Sequence, residues 1–308
     1  MIVNYKAKEI KLPDFLIVGA AKSGTTSLYY YLRHHSDIFM SFLKEPWFFS
    51  FVNSPPNYAS PEPLHGVIWK LEDYIDLFKD SKSNQLMGEA SPSYLYTYER
   101  TIKDIKNIYG ENYKKLKIII ILRNPVERAF SQFMMFKREN MEQLDFKHAL
   151  SLETIEARLK NNWNIFYDYI GFGLYFNQVN AFANEFPSLK ILFYDDLVEN
   201  QTLVLKELCE FLNIDFLNDL KLNRYNKSGI PRINYLNKLI TEPSWLKNVV
   251  KIISSQEFRQ KIKHKIFELN LKSAHMSKME KGYLSVIFND DVHNLSNLLN
   301  RDLTVWLV

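Results

Sequence analysis

The apolar positions of the chain form short runs, and each run is followed by a stretch with helical spacing. Three of the runs predict buried strands, at residues 15–18, 117–122 and 189–194. The middle run contains five consecutive aliphatic residues, which is typical of a parallel-sheet strand covered on both faces. Helices are predicted after these strands, at residues 26–34, 126–138 and 203–212. Strands that alternate with helices indicate an α/β protein with a mostly parallel sheet.

Glycine and proline are scarce, at 9 and 11 residues, so the places where they cluster mark loops. Prolines predict a long loop over residues 53–63, and a short amphipathic helix is predicted at residues 73–78. From about residue 242 the pattern becomes helical, and we expect this part to pack on the core. Its helices are predicted at residues 245–253, 258–269 and 291–299.

The length of the chain favours one large domain. A chain of 308 residues can bury about 75% of the surface that it exposes when unfolded. We therefore predict a single domain over residues 1–308, with a three-layer fold. In this fold a central, mostly parallel sheet is flanked by helices, and the helical C-terminal region packs on the core.

Composition excludes several classes of protein. The apolar share of 46% and the charged share of 24% are those of a globular protein, not of a disordered or collagen-like chain. The single cysteine, Cys209, excludes an internal disulfide and a multi-cysteine metal site, and we expect it in the core. Because His34 and His35 are adjacent on a helix, their side chains diverge and do not form a metal pair. The formal net charge, 39 − 35 = +4, permits anionic ligands, and no nucleic acid partner is expected.

No apolar run approaches the roughly 18 residues of a transmembrane helix, so no transmembrane segment is expected. Residues 15–21 follow three lysines as in a signal peptide, but the run is short and Lys22 comes directly after it. We predict a strand that enters a glycine turn, and a cytoplasmic protein. The basic stretch 247–265 is interpreted as a solvated helix face, with an acidic acceptor or a membrane surface as the alternatives. The sequence gives no prediction of the oligomeric state.

The loop after the first strand has the residue types that bind an anion. Residues 19–26 read Gly-Ala-Ala-Lys-Ser-Gly-Thr-Thr, and they lie between a predicted strand and a predicted helix. Backbone N–H groups at such a helix N-terminus can point at a phosphate or a sulfate. In the P-loop of nucleoside triphosphatases a lysine stands at the place of Thr25, whereas here Lys22 comes three residues earlier. A triphosphate with Mg²⁺ is therefore a poor fit.

This loop resembles the 5′-phosphosulfate-binding loop of sulfotransferases that use 3′-phosphoadenosine 5′-phosphosulfate (PAPS). The resemblance implies that the donor binds Lys22, Ser23, Gly24, Thr25, Thr26 and Ser27. Residues 119–131 are similar to the 3′-phosphate-binding element of the same family, with Arg123 at a strand end and Ser131 eight residues on. Ligands bind at the carboxyl ends of strands in open α/β sheets, and an arginine fork with a hydroxyl suits a phosphate.

Three further segments extend the resemblance over most of the chain, and the resemblance implies a P-loop-like three-layer fold. Residues 44–49, Lys-Glu-Pro-Trp-Phe-Phe, resemble the acceptor-side segment of Golgi-type carbohydrate sulfotransferases, which implies that Glu45 is the general base. Lys22 would stabilise the leaving phosphate. Residues 226–232 resemble a loop that closes over the nucleotide in bacterial members, and residues 291–307 resemble their C-terminal end. The loop adds four candidate donor-binding residues: Lys227, Ser228, Gly229 and Arg232.

Two positions depart from the heparan sulfate enzymes of the family. Met135 stands where some of them have a histidine, and Ala90 stands where their acceptor-side segment has a lysine. These departures argue against a heparan-like acceptor. We predict transfer of a sulfuryl group to a hydroxyl or amine of a glycan, glycolipid or small metabolite, without a metal. The alternatives are a P-loop nucleotide or metabolite kinase and a non-catalytic nucleotide-binding protein. If Glu45 is not the base, Glu89 and His65 are the next candidates.

Overall fold

The computed structural model describes residues 1–60, 64, 66–217, 230–231, 271–272 and 275–307. The predicted helices at 245–253 and 258–269 and the basic stretch 247–265 lie outside the described residues. So do His65 and the four candidate donor-binding residues of the late loop: Lys227, Ser228, Gly229 and Arg232.

Nine strands are described. Strands β1 (Ile2–Tyr5) and β2 (Lys8–Lys11) form an antiparallel hairpin at the N-terminus. The central sheet contains β3 (Phe15–Gly19), β4 (Ile38–Met40), β5 (Leu86–Ala90), β6 (Lys117–Leu122) and β7 (Leu189–Phe193). Its order is β4-β5-β3-β6-β7, and every pair of neighbours is parallel. The short strands β8 (Ile230–Pro231) and β9 (Leu271–Lys272) pair antiparallel to each other.

The α-helices of the described residues are numbered here in chain order. They are α1 (Thr25–Arg33), α2 (Phe48–Phe51), α3 (Leu71–Asp76), α4 (Ser93–Tyr96), α5 (Tyr98–Tyr109), α6 (Pro125–Arg138), α7 (Phe146–Ala149), α8 (Leu152–Lys160), α9 (Tyr175–Glu185), α10 (Tyr194–Glu199), α11 (Gln201–Leu212) and α12 (Lys278–Leu299). Among these residues, no helix has the length and apolar character needed to cross a membrane.

The alternation of side chains along the central strands builds two apolar layers. On β3, Leu16 and Val18 face one layer, whereas Phe15 and Ile17 face the other. The first layer contains apolar residues of α5, α6, α9 and α12, and the second contains those of α1 and α11. The predicted three-layer α/β fold, with helices on both faces of a parallel sheet, is therefore confirmed. Cys209 is buried in the second layer, as expected.

The C-terminal helix α12 is longer than predicted and packs on the core. The expected helix covered only residues 291–299, but α12 begins after Ser277, whose side chain forms a capping box with Glu280. Its buried residues, among them Leu284 and Phe288, belong to the first apolar layer beside α9 and α6. The prediction that a helical C-terminal region packs on the core is confirmed for this helix.

Candidate active site

All five parallel strands end at the same edge of the sheet, and each end leads to a residue of the candidate site. Strand β3 leads into the loop at residues 20–24, and β4 leads into the segment that carries Glu45. Strand β6 is followed directly by Arg123, and β7 is followed by Tyr194. This is the edge where open α/β sheets bind ligands.

The loop after β3 presents hydrogen-bond donors that lack protein partners. Lys22 and Gly24 have φ of 67° and 97°, which turns the chain tightly before α1 begins. Within the described part of the chain, the N–H groups of Gly24, Thr25 and Thr26 have no acceptor, and α1 has no side-chain cap. The hydroxyl of Ser23 is buried beside the Tyr175 hydroxyl and forms no hydrogen bond of normal geometry there. The loop therefore has the donor set of an anion site.

Arg123 lies against this loop. Its Nη1 donates to the carbonyl of Lys22 at 3.1 Å, and its guanidinium group lies 4.8 Å from the centre of the Tyr194 ring. These described contacts of the side chain include no carboxylate. The Tyr175 hydroxyl donates to the carbonyl of Arg123 at 3.0 Å, which fixes the backbone at this point. The arginine is held in place, and no carboxylate of the described residues forms an ion pair with it.

The C-terminal segment closes over the ends of β6 and β7. Trp306 is buried in a 3₁₀ turn, Thr304–Leu307. Its carbonyl accepts from Asn124 Nδ2 at 3.0 Å, and its Nε1 donates to Asp195 Oδ2 at 3.0 Å. Asn124 follows Arg123 and also caps α6, and Asp195 follows Tyr194. Trp306 therefore joins two turns. One carries Arg123, and the other carries Tyr194, whose ring faces the Arg123 guanidinium group.

Lys22 has an unusual environment for a lysine. The residue as a whole is partly exposed, but its ammonium group is buried, with Nζ 3.2 Å from Met135 Sδ. Burial is the main cause that lowers the pKa of Lys22 to about 8, and the nearby Arg138 and Arg123 also lower it. The charges of Glu139 and Glu45 act in the opposite direction. A bound anion would do the same and favour the protonated ammonium group.

Glu45 is close enough to Lys22 for its charge to act on the lysine pKa. Its side chain is 28% exposed and forms an ion pair with Lys44. The backbone of Glu45 is left-handed, with φ of 61°, a conformation that costs a non-glycine residue about 1–3 kcal/mol. Its N–H group donates to the carbonyl of Ala90 at 3.1 Å. The structure thus brings together the two residues predicted to be catalytic.

The aromatic residues after Glu45 are buried beneath it. Phe48 and Phe49 are fully buried in the first apolar layer. The Phe48 ring stacks on Tyr74 at 4.2 Å between centroids, and the Phe49 ring meets the edge of Tyr94 at 5.6 Å. These rings anchor α2, and with it the segment that carries Glu45.

Glu89 is a fully buried carboxylate at the end of β5. It accepts hydrogen bonds from the hydroxyls of Tyr94 at 2.5 Å, Ser91 at 2.9 Å and Tyr74 at 3.2 Å. Burial raises the pKa of Glu89 to about 7, the charge of Glu45 also raises it, and the three hydrogen bonds lower it. Nothing in the sequence except the position of Glu89 before Ser91 and Tyr94 indicated this cluster.

Four more of the predicted site residues lie on helices α6 and α1. Ser131 is 7% exposed within α6, and no hydrogen bond joins it to Arg123 in the described structure. Thr25 is buried, whereas Thr26 and Ser27 are partly exposed on the first turn of α1. The described residues contain no group of three or more histidine, cysteine or acidic side chains that could hold a metal ion.

Sequence reasoning did not assign Tyr194 or Tyr175 to the site. Tyr194 had a signal, because it directly follows a predicted strand, where ligand-contacting residues are expected. The predicted strand at 189–194 ended one residue too late and included it, whereas β7 ends at Phe193. Tyr175 begins α9, 52 positions along the chain from Arg123, and no local pattern links the two.

The fold is a parallel α/β sheet with helices on both faces, and its candidate site presents backbone N–H donors and two cationic side chains at the carboxyl edge of the sheet. The family described as "Sulfotransferase domain" matches residues 12–283, and the chain therefore belongs to the sulfotransferase family. The crystal structure of a sulfotransferase from Alicyclobacillus acidocaldarius is similar over 96% of this chain and 99% of that chain. Its sequence identity is 27% and its TM-score is 0.73.

Curated relatives are similar over shorter regions. The membrane-associated sulfotransferase kil1 of Dictyostelium discoideum is 31% identical over 49% of this chain and 30% of its own length. A heparan sulfate glucosamine 3-O-sulfotransferase, 3B1 of Mus musculus, is 24% identical over 66% of this chain and 47% of its own length. Carbohydrate sulfotransferase 15 of Homo sapiens is 29% identical over 46% of this chain and 30% of its own length. The chain thus spans about half or less of these relatives.

Proposed function

We propose that this sulfotransferase moves the sulfuryl group of PAPS to a hydroxyl or amine of a glycan, glycolipid or small metabolite. The observation that carries the proposal is the convergence of Lys22, Arg123 and Glu45 at one sheet edge. Arg123 donates to the carbonyl of Lys22, and the charge of Glu45 acts on the Lys22 ammonium group. An anion binder, a cation and a carboxylate are the groups that the reaction requires.

The residues present fit the donor. The unpartnered N–H groups of Gly24, Thr25 and Thr26 and the buried hydroxyl of Ser23 suit the 5′-phosphosulfate. Arg123, with no carboxylate among its described contacts, suits a second phosphate, the 3′-phosphate that distinguishes PAPS from ATP. The donor supplies an activated sulfuryl group, and the protein supplies binding, orientation, charge and a base.

Glu45 and Lys22 have separate roles in the transfer. Glu45 takes the proton from the acceptor hydroxyl or amine as its oxygen or nitrogen forms a bond to sulfur. Lys22 offsets the negative charge that develops on the bridging oxygen as the bond between sulfur and that oxygen breaks. The products are the sulfated acceptor and adenosine 3′,5′-bisphosphate. Lys44 pairs with Oε1 of Glu45, so an acceptor must approach the other carboxylate oxygen, Oε2.

The relatives and the residue at position 90 bear on the chemistry of the acceptor. Relatives named for heparan sulfate glucosamine and for carbohydrate support a carbohydrate. Ala90, which stands where heparan sulfate enzymes have a lysine, is fully buried and offers no cation to a polyanionic chain. We therefore favour an acceptor with little negative charge.

A single domain and a cytoplasmic location remain predictions of the sequence.

Donor dependence tests the proposed reaction. The purified protein is incubated with an acceptor library and either PAPS or MgATP, with and without a chelator, and products are identified by mass. We expect a gain of SO₃ with PAPS that does not require added metal. Phosphorylated products that require Mg²⁺ would instead support a kinase.

Substitution of Glu45 tests the assigned base. Glu45→Gln keeps the size of the side chain but removes its basic carboxylate, so kcat should fall by about 10²–10⁴. The dissociation constant of adenosine 3′,5′-bisphosphate should stay unchanged, and the acidic limb of the pH–rate profile should disappear. Near-normal turnover in this variant would exclude Glu45 as the base.

A further inference from the structure

The segment at residues 45–49 is held by three hydrogen bonds from its own backbone N–H groups. Glu45 N–H donates to the carbonyl of Ala90 at 3.1 Å. Trp47 N–H donates to Ser91 Oγ at 3.1 Å, and Phe49 N–H donates to the Tyr94 hydroxyl at 3.3 Å. Two residues of this segment, Glu45 and Trp47, have left-handed backbones with φ of 61° and 57°. An unfavourable conformation of this kind persists only when its surroundings hold it.

The two hydroxyls that accept these bonds are themselves oriented by one carboxylate. Ser91 Oγ donates to Glu89 Oε2 at 2.9 Å, and the Tyr94 hydroxyl donates to Glu89 Oε1 at 2.5 Å. A hydroxyl has a single proton, so a hydroxyl that donates to Glu89 turns its lone pairs toward other donors. Glu89 therefore determines that Ser91 and Tyr94 are acceptors for the backbone of the segment.

We infer that Glu89 is a positioning residue that holds the 45–49 segment, and with it Glu45, through the hydroxyls of Ser91 and Tyr94. The functional part of this inference rests on the proposed role of Glu45 as the base. Glu89 is fully buried, and its described hydrogen bonds go to protein hydroxyls, so it acts through the segment and does not contact the acceptor. Glu89 lies directly after Gly88 on β5, which is paired on both sides, with β4 and β3, in the central sheet.

The chain offers a matched set of variants. Ser91→Ala and Tyr94→Phe each remove one acceptor of the segment. Tyr74→Phe is the control, because it removes a hydroxyl that donates to Glu89 but bonds to no backbone group of the segment. The Tyr74 ring, which stacks on Phe48, is kept in this variant.

Measurement of kcat in the wild-type protein and in a Glu45→Gln background separates a positioning role from a purely structural one. Ser91→Ala and Tyr94→Phe should each lower kcat by up to about 100-fold, since a small misplacement of a catalytic group can cost this much. Tyr74→Phe should leave kcat close to that of the wild type. In a Glu45→Gln background the same two substitutions should cost far less, because the group that they position has been removed. Equal losses in both backgrounds would overturn the inference.

Hydrogen exchange provides a readout that does not depend on activity. Amide exchange in a peptide that covers residues 45–51 should accelerate in Tyr94→Phe and in Glu89→Gln, whose amide accepts through only one oxygen. It should not change in Tyr74→Phe. Unchanged exchange in Tyr94→Phe and Ser91→Ala would overturn the inference, and these two variants decide it if Glu89→Gln does not fold. Normal turnover in Glu45→Gln alone would refute the proposed base, while the exchange rates would still decide whether Glu89 holds the segment.

Discussion

Arg123 differs from Arg158 and Arg301 in the kind of contacts that it makes. Arg158 and Arg301 each form two hydrogen bonds to a carboxylate, whereas the described contacts of the Arg123 side chain are a carbonyl oxygen and the face of Tyr194. A guanidinium group held in this way can bind two oxygens of a phosphate without first breaking an ion pair.

Loss of Arg123 should therefore affect only ligands with a 3′-phosphate. Arg123→Ala should weaken the binding of adenosine 3′,5′-bisphosphate by about 2–5 kcal/mol, the range for truncation of one member of a buried charge pair. Binding of adenosine 5′-phosphate, measured by the same calorimetric titration, should change little. Equal losses for both nucleotides would mean that Arg123 has a structural role.

The lowered pKa of Lys22 predicts a loss of activity on the alkaline side of the pH profile. Burial lowers this pKa from 10.5 to about 8, so the free enzyme loses the Lys22 proton well below the pH at which an ordinary lysine does. Only the protonated form can offset charge on the leaving oxygen, so kcat/KM should fall as the pH rises through about 8. Because bound donor favours the charged form, the corresponding fall in kcat should occur at higher pH.

Two variants check the assignment of this alkaline limb. Lys22→Arg keeps a positive charge at every pH of the assay, so the limb should disappear from the measured range. Met135→Leu removes the sulfur beside Nζ but keeps the apolar surroundings, so the limb should remain near its original position. A limb that persists in Lys22→Arg would belong to another group.

At the scale of elements, the sequence predicted the strand with a long, uninterrupted apolar run and missed strands that are short or contain glycine and charged residues. The strand at 117–122 was predicted with its observed bounds, because five aliphatic residues in a row suit only a strand covered on both faces. Strands β4 and β5 were not predicted. Strand β4 has three residues, and β5 contains Gly88 and Glu89, which are uncommon within strands.

The same contrast applies to the candidate site. Lys22, Arg123 and Glu45 were predicted because each belongs to a local motif at a strand or loop boundary. The Glu89 cluster and the contact of Lys22 with Met135 join residues from separate elements, and in the latter case the two residues are 113 positions apart. A spacing pattern carries no information about such contacts, because they depend on how the helices pack on the sheet.

Gly88 explains why an apparently poor strand sequence is used at the centre of the sheet. A Cβ atom at residue 88 would lie 2.1 Å from the Phe15 ring on the neighbouring strand. Gly88→Ala should therefore destabilise the fold by about 1–3 kcal/mol, the range for overpacking, as measured by the denaturant midpoint. In the control variant Gly282→Ala, the added methyl meets open space on α12, and stability should be unchanged or higher by up to about 1 kcal/mol. Equal stability of the two variants would contradict this account of Phe15 packing.

At the scale of the whole molecule, the candidate site combines chain segments that are far apart in sequence. The loop after β3 comes from the beginning of the chain, Arg123 from the middle, and Trp306 from the C-terminal segment. The resemblance of residues 291–307 to other sulfotransferases thus concerns a segment that packs against the site. The described hydrogen bonds of Trp306 go to Asn124 and Asp195, which are the sequence neighbours of Arg123 and Tyr194.

The position of Trp306 has a thermodynamic consequence. Because the loop after β3 and the segment that carries Trp306 both pack around one candidate ligand site, this site can form only when these distant segments are folded together, and binding is linked to global folding. At a concentration of adenosine 3′,5′-bisphosphate about 100 times its dissociation constant, the linkage should add about 2.7 kcal/mol to the free energy of unfolding. We expect one thermal transition that shifts upward as a whole, and a much smaller shift in Arg123→Ala at the same concentration. Two transitions, of which only one responds to the nucleotide, would show that Trp306 and the loop unfold separately.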